Sequence, residues 1–358
     1  MIELKENFSL EKHNTLKLKV KTKFFIEVFS VQDLLDAIAF AKEKNLEILT
    51  IGDGANILFT KDYDGLVIRN SIKGIKIVEE NDDYIILEIG GGENWPDLVT
   101  YAVENNWAGI ENLAYIPGTV GAAPIQNIAA YGQELADTFI SLSALDIETK
   151  EIKNFNKDDC DFKYRYSVFK GKLKNKYYVL SIRLKLEKNA KELNTSYYSR
   201  FESIKDDLKA IAQEPYTLKD IYNAVINLRK RKLPDPKEIG TIGSTFANPF
   251  LNQIELKKLQ KIVPEVQFYP VNNMMYIPLD DERLKNAEIV KIPAGWLFDE
   301  AGWKGLREGN VGTFKNHALC AIAYEGATCE EFFNFTEKMR KDFKEKYNID
   351  LEYEVNVI

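Results

Sequence analysis

The pattern of elements changes at Ile75, and that change restricts the fold more than any single motif. Before it come the strand FFIEVF (24–29), a helix starting after Ser30, the strand EILTI (47–51), the loop Gly52-Asp53-Gly54-Ala55-Asn56, the apolar ILF and the strand GLVIR (65–69). Ser30 with Asp33 has the form of a capping box, and Leu34, Leu35, Ile38 and Ala41 follow at helical spacing. After Ile75 the strands come in pairs. IKIVEE and DYIILEIG flank a hairpin signal at Asn81-Asp82, and SALDIET and YYVLSIRLKL alternate apolar and polar residues as half-buried strands do, with a turn at Glu148-Thr149-Lys150. Helices are expected at 96–105, following Gly90-Gly91-Gly92, at 218–232, stopped by Leu233-Pro234-Asp235-Pro236, and at 330–346, before a final strand LEYEVNVI. One βαβ unit followed by strand pairs reads as α+β and argues against a doubly wound Rossmann sheet.

At 358 residues the chain has room for two or three domains, and its 45% hydrophobic content supports a packed core. The net charge of -7 disfavours a long polyanion as the main partner, so nucleic acid is not expected. Three cysteines (Cys160, Cys320, Cys329) and two histidines (His13, His317), with no CxxC and no HExxH, argue against a disulfide framework and a Cys/His metal site. The start MIELKENFSLEKHN lacks an apolar signal core, and the apolar run Ala318–Tyr324 is far too short for a membrane span. These features read as a soluble cytoplasmic protein.

Five segments could carry chemistry. In Gly52-Asp53-Gly54-Ala55-Asn56, two glycines let the backbone turn sharply. The loop reads either as an ordinary tight turn or as a cradle for an anion, and Ile57 replaces the third glycine of a dinucleotide fingerprint. Ile116 to Gly132 (IPGTVGAAPIQNIAAYG) is rich in small residues, so a flat or charged ligand could lie against its main chain with Gln126, Asn127 and Tyr131 as hydrogen-bonding neighbours. Arg165, in Tyr164-Arg165-Tyr166-Ser167, is either a cation stacked on a ring or one held to polarise a carboxylate. Arg229 to Lys232 is a basic helix end preceding the glycine-flanked Ser244, around which no hydrolase elbow is found. Glu352 and Glu354 flank Tyr353 and share one face of the last strand. His13 and His317 read as structural.

Taken in order, GDGANILF, GIENLAYIPGTVGAAPIQNIAAYG, FKYRYSVFK, KLPDPKEIGTIGSTFANP, AGWLFDEAGWKG and LEYEV resemble the UDP-N-acetylenolpyruvoylglucosamine reductase family, from about Asn14-Thr15 to the C-terminus. The resemblance implies an FAD-binding region of two α+β subdomains (1–72 and 73–228), of the type shared with vanillyl-alcohol and PCMH-type oxidases. It also implies a C-terminal α+β substrate-binding domain (229–358), whose last strand could return to the first subdomain. The implied reaction is NADPH-dependent, FAD-mediated reduction of UDP-N-acetylglucosamine enolpyruvate to UDP-N-acetylmuramate, by a monomer, in peptidoglycan precursor synthesis. No His or Cys stands in the matched FAD segments, so the FAD would be non-covalent.

Carried over residue by residue, the resemblance implies that Gly52, Gly54, Ala55 and Asn56 cradle the FAD pyrophosphate. Gly118, Gly121, Gln126, Asn127, Ala130 and Tyr131 would line the flavin and its phosphates. Arg165 and Glu354 would stabilise the charge of an enolate-like species, Ser244 would donate the proton, and Arg229, Lys232 and Asn248 would meet the substrate diphosphate. Tyr197 would be the loop tyrosine that closes over the nucleotide. Residues 264–290 are longer and more polar than the family pattern, which suggests an insertion. Two rival readings are another FAD oxidoreductase of this fold, acting on an alcohol or lactone, and a nucleotide-binding protein that has lost its chemistry. The presence of Arg165, Ser244 and Glu354 together speaks against the second.

Overall fold

The computed structural model describes residues 3–190, 193–195, 198–199, 202–271, 281–285 and 287–358. The chain forms two compact units, one made of Met1–Phe8, Thr22–Asp53 and Asp64–Arg231, the other of Ser9–Lys21, Gly54–Tyr63 and Lys232–Ile358. The division at 231/232 falls at the end of the helix Leu218–Lys232, three residues beyond the expected 228/229 boundary. Two early segments depart from the expected 1–72 grouping, since Ser9–Lys21 and Gly54–Tyr63 belong to the second unit. The cause is backbone pairing. Thr15 donates its N–H to the Gly54 carbonyl and accepts from Thr241 N–H, while Asn356–Val357 pairs in parallel with Ile57–Leu58.

The first unit has two cores. A four-stranded sheet in the order Lys5–Ser9, Lys21–Val28, Tyr63–Asn70, Ile48–Ile51 carries the helix Val31–Glu43, which buries Leu34, Ala37, Ile38 and Ala41 against Ile26, Val28, Leu66 and Ile68. Ser30 caps that helix, its hydroxyl accepting from Asp33 N–H, and Asp33 accepts in return from Phe29 N–H. The second core lies on a six-stranded antiparallel sheet built around Tyr177–Lys188, with the helices Trp95–Glu104 and Leu218–Lys232 packed into it. Tyr178 and Leu180 enter the first core and Ile182, Leu184 and Leu186 the second, so one long strand serves both. The glycine triplet after Tyr84–Gly90 is explained by close backbone approach. A Cβ at Gly91 would lie 2.6 Å from the Val179 carbonyl oxygen, and one at Gly92 would lie 2.6 Å from the Ile72 nitrogen.

In the second unit, a sheet ordered Gly240–Thr241, His317–Ala323, Val311–Phe314, Arg307–Glu308 packs with the helices Ala294–Glu300 and Cys329–Tyr347. The long helix is capped by Thr328 and buries Phe332, Phe335, Met339 and Phe343. Phe298 touches Phe246, Trp303 and Phe343 at the centre of this core. The expected final strand is divided into two pieces. Residues 352–354 pair with 245–247 around the Phe246–Tyr353 bridge, and only Asn356–Val357 reaches Ile57–Leu58. Val355, buried between them, marks the change of partner.

The turn expected at Glu148-Thr149-Lys150 is organised by Asp146. Its Oδ1 accepts from the N–H groups of Glu148 and Thr149 at 3.0 and 3.1 Å, and Lys153 Nζ lies 3.0 Å from Oδ2. The Thr149 N–H first, then Lys153, holds the Asp146 carboxyl below the usual carboxylate range. A carboxyl depressed in the folded state stabilises above its unfolded pKa and loses that contribution as the pH falls. The stability advantage of the natural protein over Asp146→Asn is therefore expected to be full above about pH 5 and to shrink steadily below about pH 4, as read by urea unfolding across that range.

Candidate active site

Within the first unit, four of the singled-out motifs converge. Gly52 packs against Thr119, where a Cβ would lie 2.2 Å from the threonine hydroxyl oxygen. Thr119 forms a bridge with Asn94, the Gly118 carbonyl accepts from Trp95 N–H, and Gly121 donates its N–H to the Gly91 carbonyl. Asn94 Nδ2 also holds Asp53 Oδ2 at 3.2 Å, and Arg69 Nη2 lies 3.4 Å from Asp53 Oδ1. The one acid of the glycine loop is thus compensated from within the unit. Further along, the tyrosine–arginine motif is the corner of a tight turn in which Lys163 and Tyr166 exchange both backbone hydrogen bonds. Arg165 has φ 53° there, and its guanidinium lies 5.1 Å from the Tyr164 ring, so the simple stacking contact is present. Ser167 Oγ donates to the Ile125 carbonyl and Asn127 Nδ2 to the Lys163 carbonyl, which ties this turn to the 116–132 segment. Arg229 Nε donates to the Tyr115 carbonyl at the other end of the same segment.

Residues 115–132 contain no ionised side chain, and Ile116, Gly118, Gln126 and Ala130 are half-buried. The backbone takes positive φ at Gly118, Asn127 and Tyr131, which bends an uncharged ribbon back on itself. Asn127 has its side chain committed within the protein. It is 1% exposed, its Nδ2 is spent on Glu134 and Lys163, and its Oδ1 accepts from Ala136 N–H. Its side chain shapes the ribbon from inside.

Within the second unit, Thr15 links the loops that carry Gly54 and Ser244, its Oγ1 donating to the Thr241 carbonyl at 2.6 Å. A Cβ at Gly54, with φ 67°, would lie 2.1 Å from the His13 carbonyl oxygen, so this glycine is required by packing alone. Because the Gly54 carbonyl faces Thr15 N–H, the Ala55 N–H of the same peptide points the opposite way. The Asn56 carbonyl accepts from Asn356 N–H. Ser244 and Glu354 are both half-buried, and the terminal ladder brings the main chain of Glu354 against the residue that follows Ser244. Glu354 N–H donates to the carbonyl of Thr245, the residue after Ser244, at 3.0 Å. Gly243 has φ 71° with nothing within 4 Å of where its Cβ would be, so the backbone beside Ser244 is open on that side. Its N–H is spent on Thr241 Oγ1. Asn248 Oδ1 caps the helix Ala294–Glu300 by accepting from Ala294 N–H at 2.9 Å.

Tyr197 and part of the 264–290 segment lie outside the described residues. Reading the sequence missed Thr15, Thr119 and Asn94, whose hydrogen bonds join segments far apart in the chain. No local periodicity signals such contacts.

A model described as an FAD binding domain matches residues 22–155, and one described as the C-terminal domain of UDP-N-acetylenolpyruvoylglucosamine reductase matches 235–358. The UDP-N-acetylenolpyruvoylglucosamine reductase of Flavobacterium johnsoniae is 42% identical over 100% of both chains. The chain belongs to the UDP-N-acetylenolpyruvoylglucosamine reductase family. The reductase of Pseudomonas aeruginosa is 36% identical over 99% of both chains. The crystal structure of the Thermus caldophilus reductase has the same fold, with a TM-score of 0.64 at 19% identity, covering 100% of this chain and 98% of that one. Among the described residues, no helix is long and apolar enough to cross a membrane, and no group of His, Cys, Asp or Glu side chains is placed to hold a metal ion.

His317, read as structural from sequence, lies in the field of Lys232 within the second unit. Desolvation, then Lys232 and Lys304, pushes its imidazole down to about 4. A histidine depressed in the folded state costs stability as the pH falls from its unfolded value toward the folded one. The protein is expected to lose stability between about pH 6.5 and about pH 4 in a phase that His317→Gln removes, measured as the pH dependence of the unfolding midpoint in both proteins.

Proposed function

We propose that this chain reduces UDP-N-acetylglucosamine enolpyruvate to UDP-N-acetylmuramate in peptidoglycan precursor synthesis, with NADPH as the electron source. The family membership carries the reaction. The hydrogen bond from Glu354 N–H to the Thr245 carbonyl is the observation that supports the assignment of residues to it.

The chain's residues fit FAD. An uncharged ribbon, bent by positive φ and half-buried, suits a flat ring system, and the compensation of Asp53 by Arg69 and Asn94 lessens repulsion of a pyrophosphate near Gly52. Gly52, Gly54, Ala55 and Asn56 would hold the pyrophosphate through their backbone, and Gly118, Gly121, Gln126, Ala130 and Tyr131 would line the flavin, with Asn127 holding that segment in shape. Held there, FAD would supply hydride transfer from NADPH to the vinyl ether of the substrate. Cys160 is fully buried, and burial pushes its thiol up to about 12, so it is unsuited to a covalent tether.

Hydride addition to the enol ether places negative charge on the neighbouring carbon and its carboxylate. Arg165 is assigned to oppose that charge as a fixed cation. Glu354 assists if it carries or shares a proton, since a bare carboxylate would repel. Ser244 is assigned to protonate the carbon adjacent to the one that receives hydride. A serine hydroxyl is a weak acid, so its alkoxide needs a nearby cation, and Lys232 is the candidate. Arg229, Lys232 and Asn248 are assigned to the substrate diphosphate, and Tyr197 to the loop over the nucleotide.

An anaerobic visible spectrum of the FAD-loaded protein is expected to bleach with NADPH and return on addition of the sugar nucleotide. Bleaching without return would overturn the substrate assignment. In Ser244→Ala, NADPH should still bleach the flavin at a near-normal rate, while reoxidation by substrate slows by about 10²–10⁴-fold; equal slowing of both half-reactions would remove Ser244 from the proton step. Arg69→Ala leaves Asp53 without its cation and should weaken FAD retention by roughly tenfold, read by fluorescence titration of the apoprotein.

A further inference from the structure

The terminal Glu352-Tyr353-Glu354 sequence places a tyrosine between two carboxylates, and side chains alternate along an extended segment. If Glu354 faces one way, Tyr353 faces the other, and Tyr353, partly buried, packs against the second unit's core. Its ring packs on Phe246, its cross-strand partner, with centroids 4.9 Å apart, and on Phe333 at 6.4 Å. The two rungs that flank this pair are Glu354 N–H to the Thr245 carbonyl and Ala247 N–H to the Glu352 carbonyl. In such a pair the side chains approach most closely.

At the other end of the ring, the Tyr353 hydroxyl donates to Glu337 Oε1 at 2.8 Å and lies 2.8 Å from Thr336 Oγ1. Thr336 is fully buried, and Arg340 Nη2 holds the second oxygen of Glu337 at 2.6 Å. Phe333, Thr336, Glu337 and Arg340 form one stripe of the helix Cys329–Tyr347, at the i, i+3, i+4, i+7 spacing that brings side chains into line. The tyrosine is therefore fastened along its whole length. Sliding the strand by one residue would break the hydroxyl contacts and turn Glu354 to the opposite face.

We propose that Tyr353 is a positioning residue for Glu354: its hydroxyl, anchored on Thr336 and Glu337, fixes the strand register that sets which face of the terminal strand carries the Glu354 carboxyl. This rests on the assignment of Glu354 to the reaction, and it predicts that the hydroxyl matters to the substrate half-reaction alone. It also predicts that the hydroxyl acts only through Glu354.

The test is a stopped-flow double-mutant cycle on the FAD-loaded protein, with Tyr353→Phe, Glu354→Gln and the two combined, following flavin reduction by NADPH and reoxidation by UDP-N-acetylglucosamine enolpyruvate separately. Tyr353→Phe keeps the ring between Phe246 and Phe333 and is expected to slow reoxidation about tenfold while changing reduction less than about twofold. In the Glu354→Gln background the same substitution should change reoxidation less than about twofold, because the group it positions is already gone. Glu337→Gln, which keeps an acceptor but removes its charge, should slow the same half-reaction more weakly, and it serves in place of Tyr353→Phe should that variant fail to fold. Equal slowing by Tyr353→Phe in both backgrounds, or slowing of both half-reactions together, overturns the positioning role. Unchanged reoxidation in Tyr353→Phe beside a slow Glu354→Gln overturns it too, and leaves the assignment of Glu354 standing. Normal reoxidation by Glu354→Gln overturns that assignment and the inference with it.

Discussion

The second unit depends on a closure of the chain over its full length. The last seven residues hydrogen-bond at two places far upstream: Glu354 with Thr245, then Asn356 with Asn56 and Ile358 with Leu58 and Thr60. Closing a loop of this size costs chain entropy, but that cost grows only with the logarithm of its length. A few backbone rungs combined with burial of Leu351 and Val355 can offset it. Ser244 and Glu354 share a neighbourhood only because this closure forms. So does the Gly54 loop, which Thr15 ties to Thr241 from the other side.

The first unit relies on a different constraint, the close approach of backbones. Gly91, Gly92 and Gly121 leave no space for a side chain because main chain lies against each of them. Thr119 and Asn94 then act as the junction between the glycine loop at Gly52 and the ribbon that follows Gly118. Glycines in a motif that suggests ligand binding are here doubly determined. Gly54 would be needed for folding even if nothing bound beside it, because its Cβ position is taken by the His13 carbonyl.

Much of this was legible in the sequence where the signal is local. The Ser30 cap, the hairpin at Asn81 and the helix Leu218–Lys232 follow from residue type and spacing. The candidate site was legible as a set of motifs because each carries an unusual local composition. What could not be read was which motifs touch. Asp53 looks like a liability in an anion loop until Arg69 and Asn94 are found on it. The sequence does not show that the Asn127 amide is used inside the protein, on Glu134 and Ala136. LEYEVNVI reads as one strand because alternation says nothing of a change of partner at Val355.

The alternation of the chain between its units has a consequence for how such a protein can arise and be altered. Leu16, Leu18 and Leu58 sit in the core of the second unit, together with residues from beyond 240. No single cut of the polypeptide separates the two units. A fragment beginning at Lys232 would lack core side chains and the strand Ile57–Leu58 that its own C-terminus requires. The second unit is therefore not a transferable module, and recombination between relatives would preserve it only where the early segments travel with the late ones.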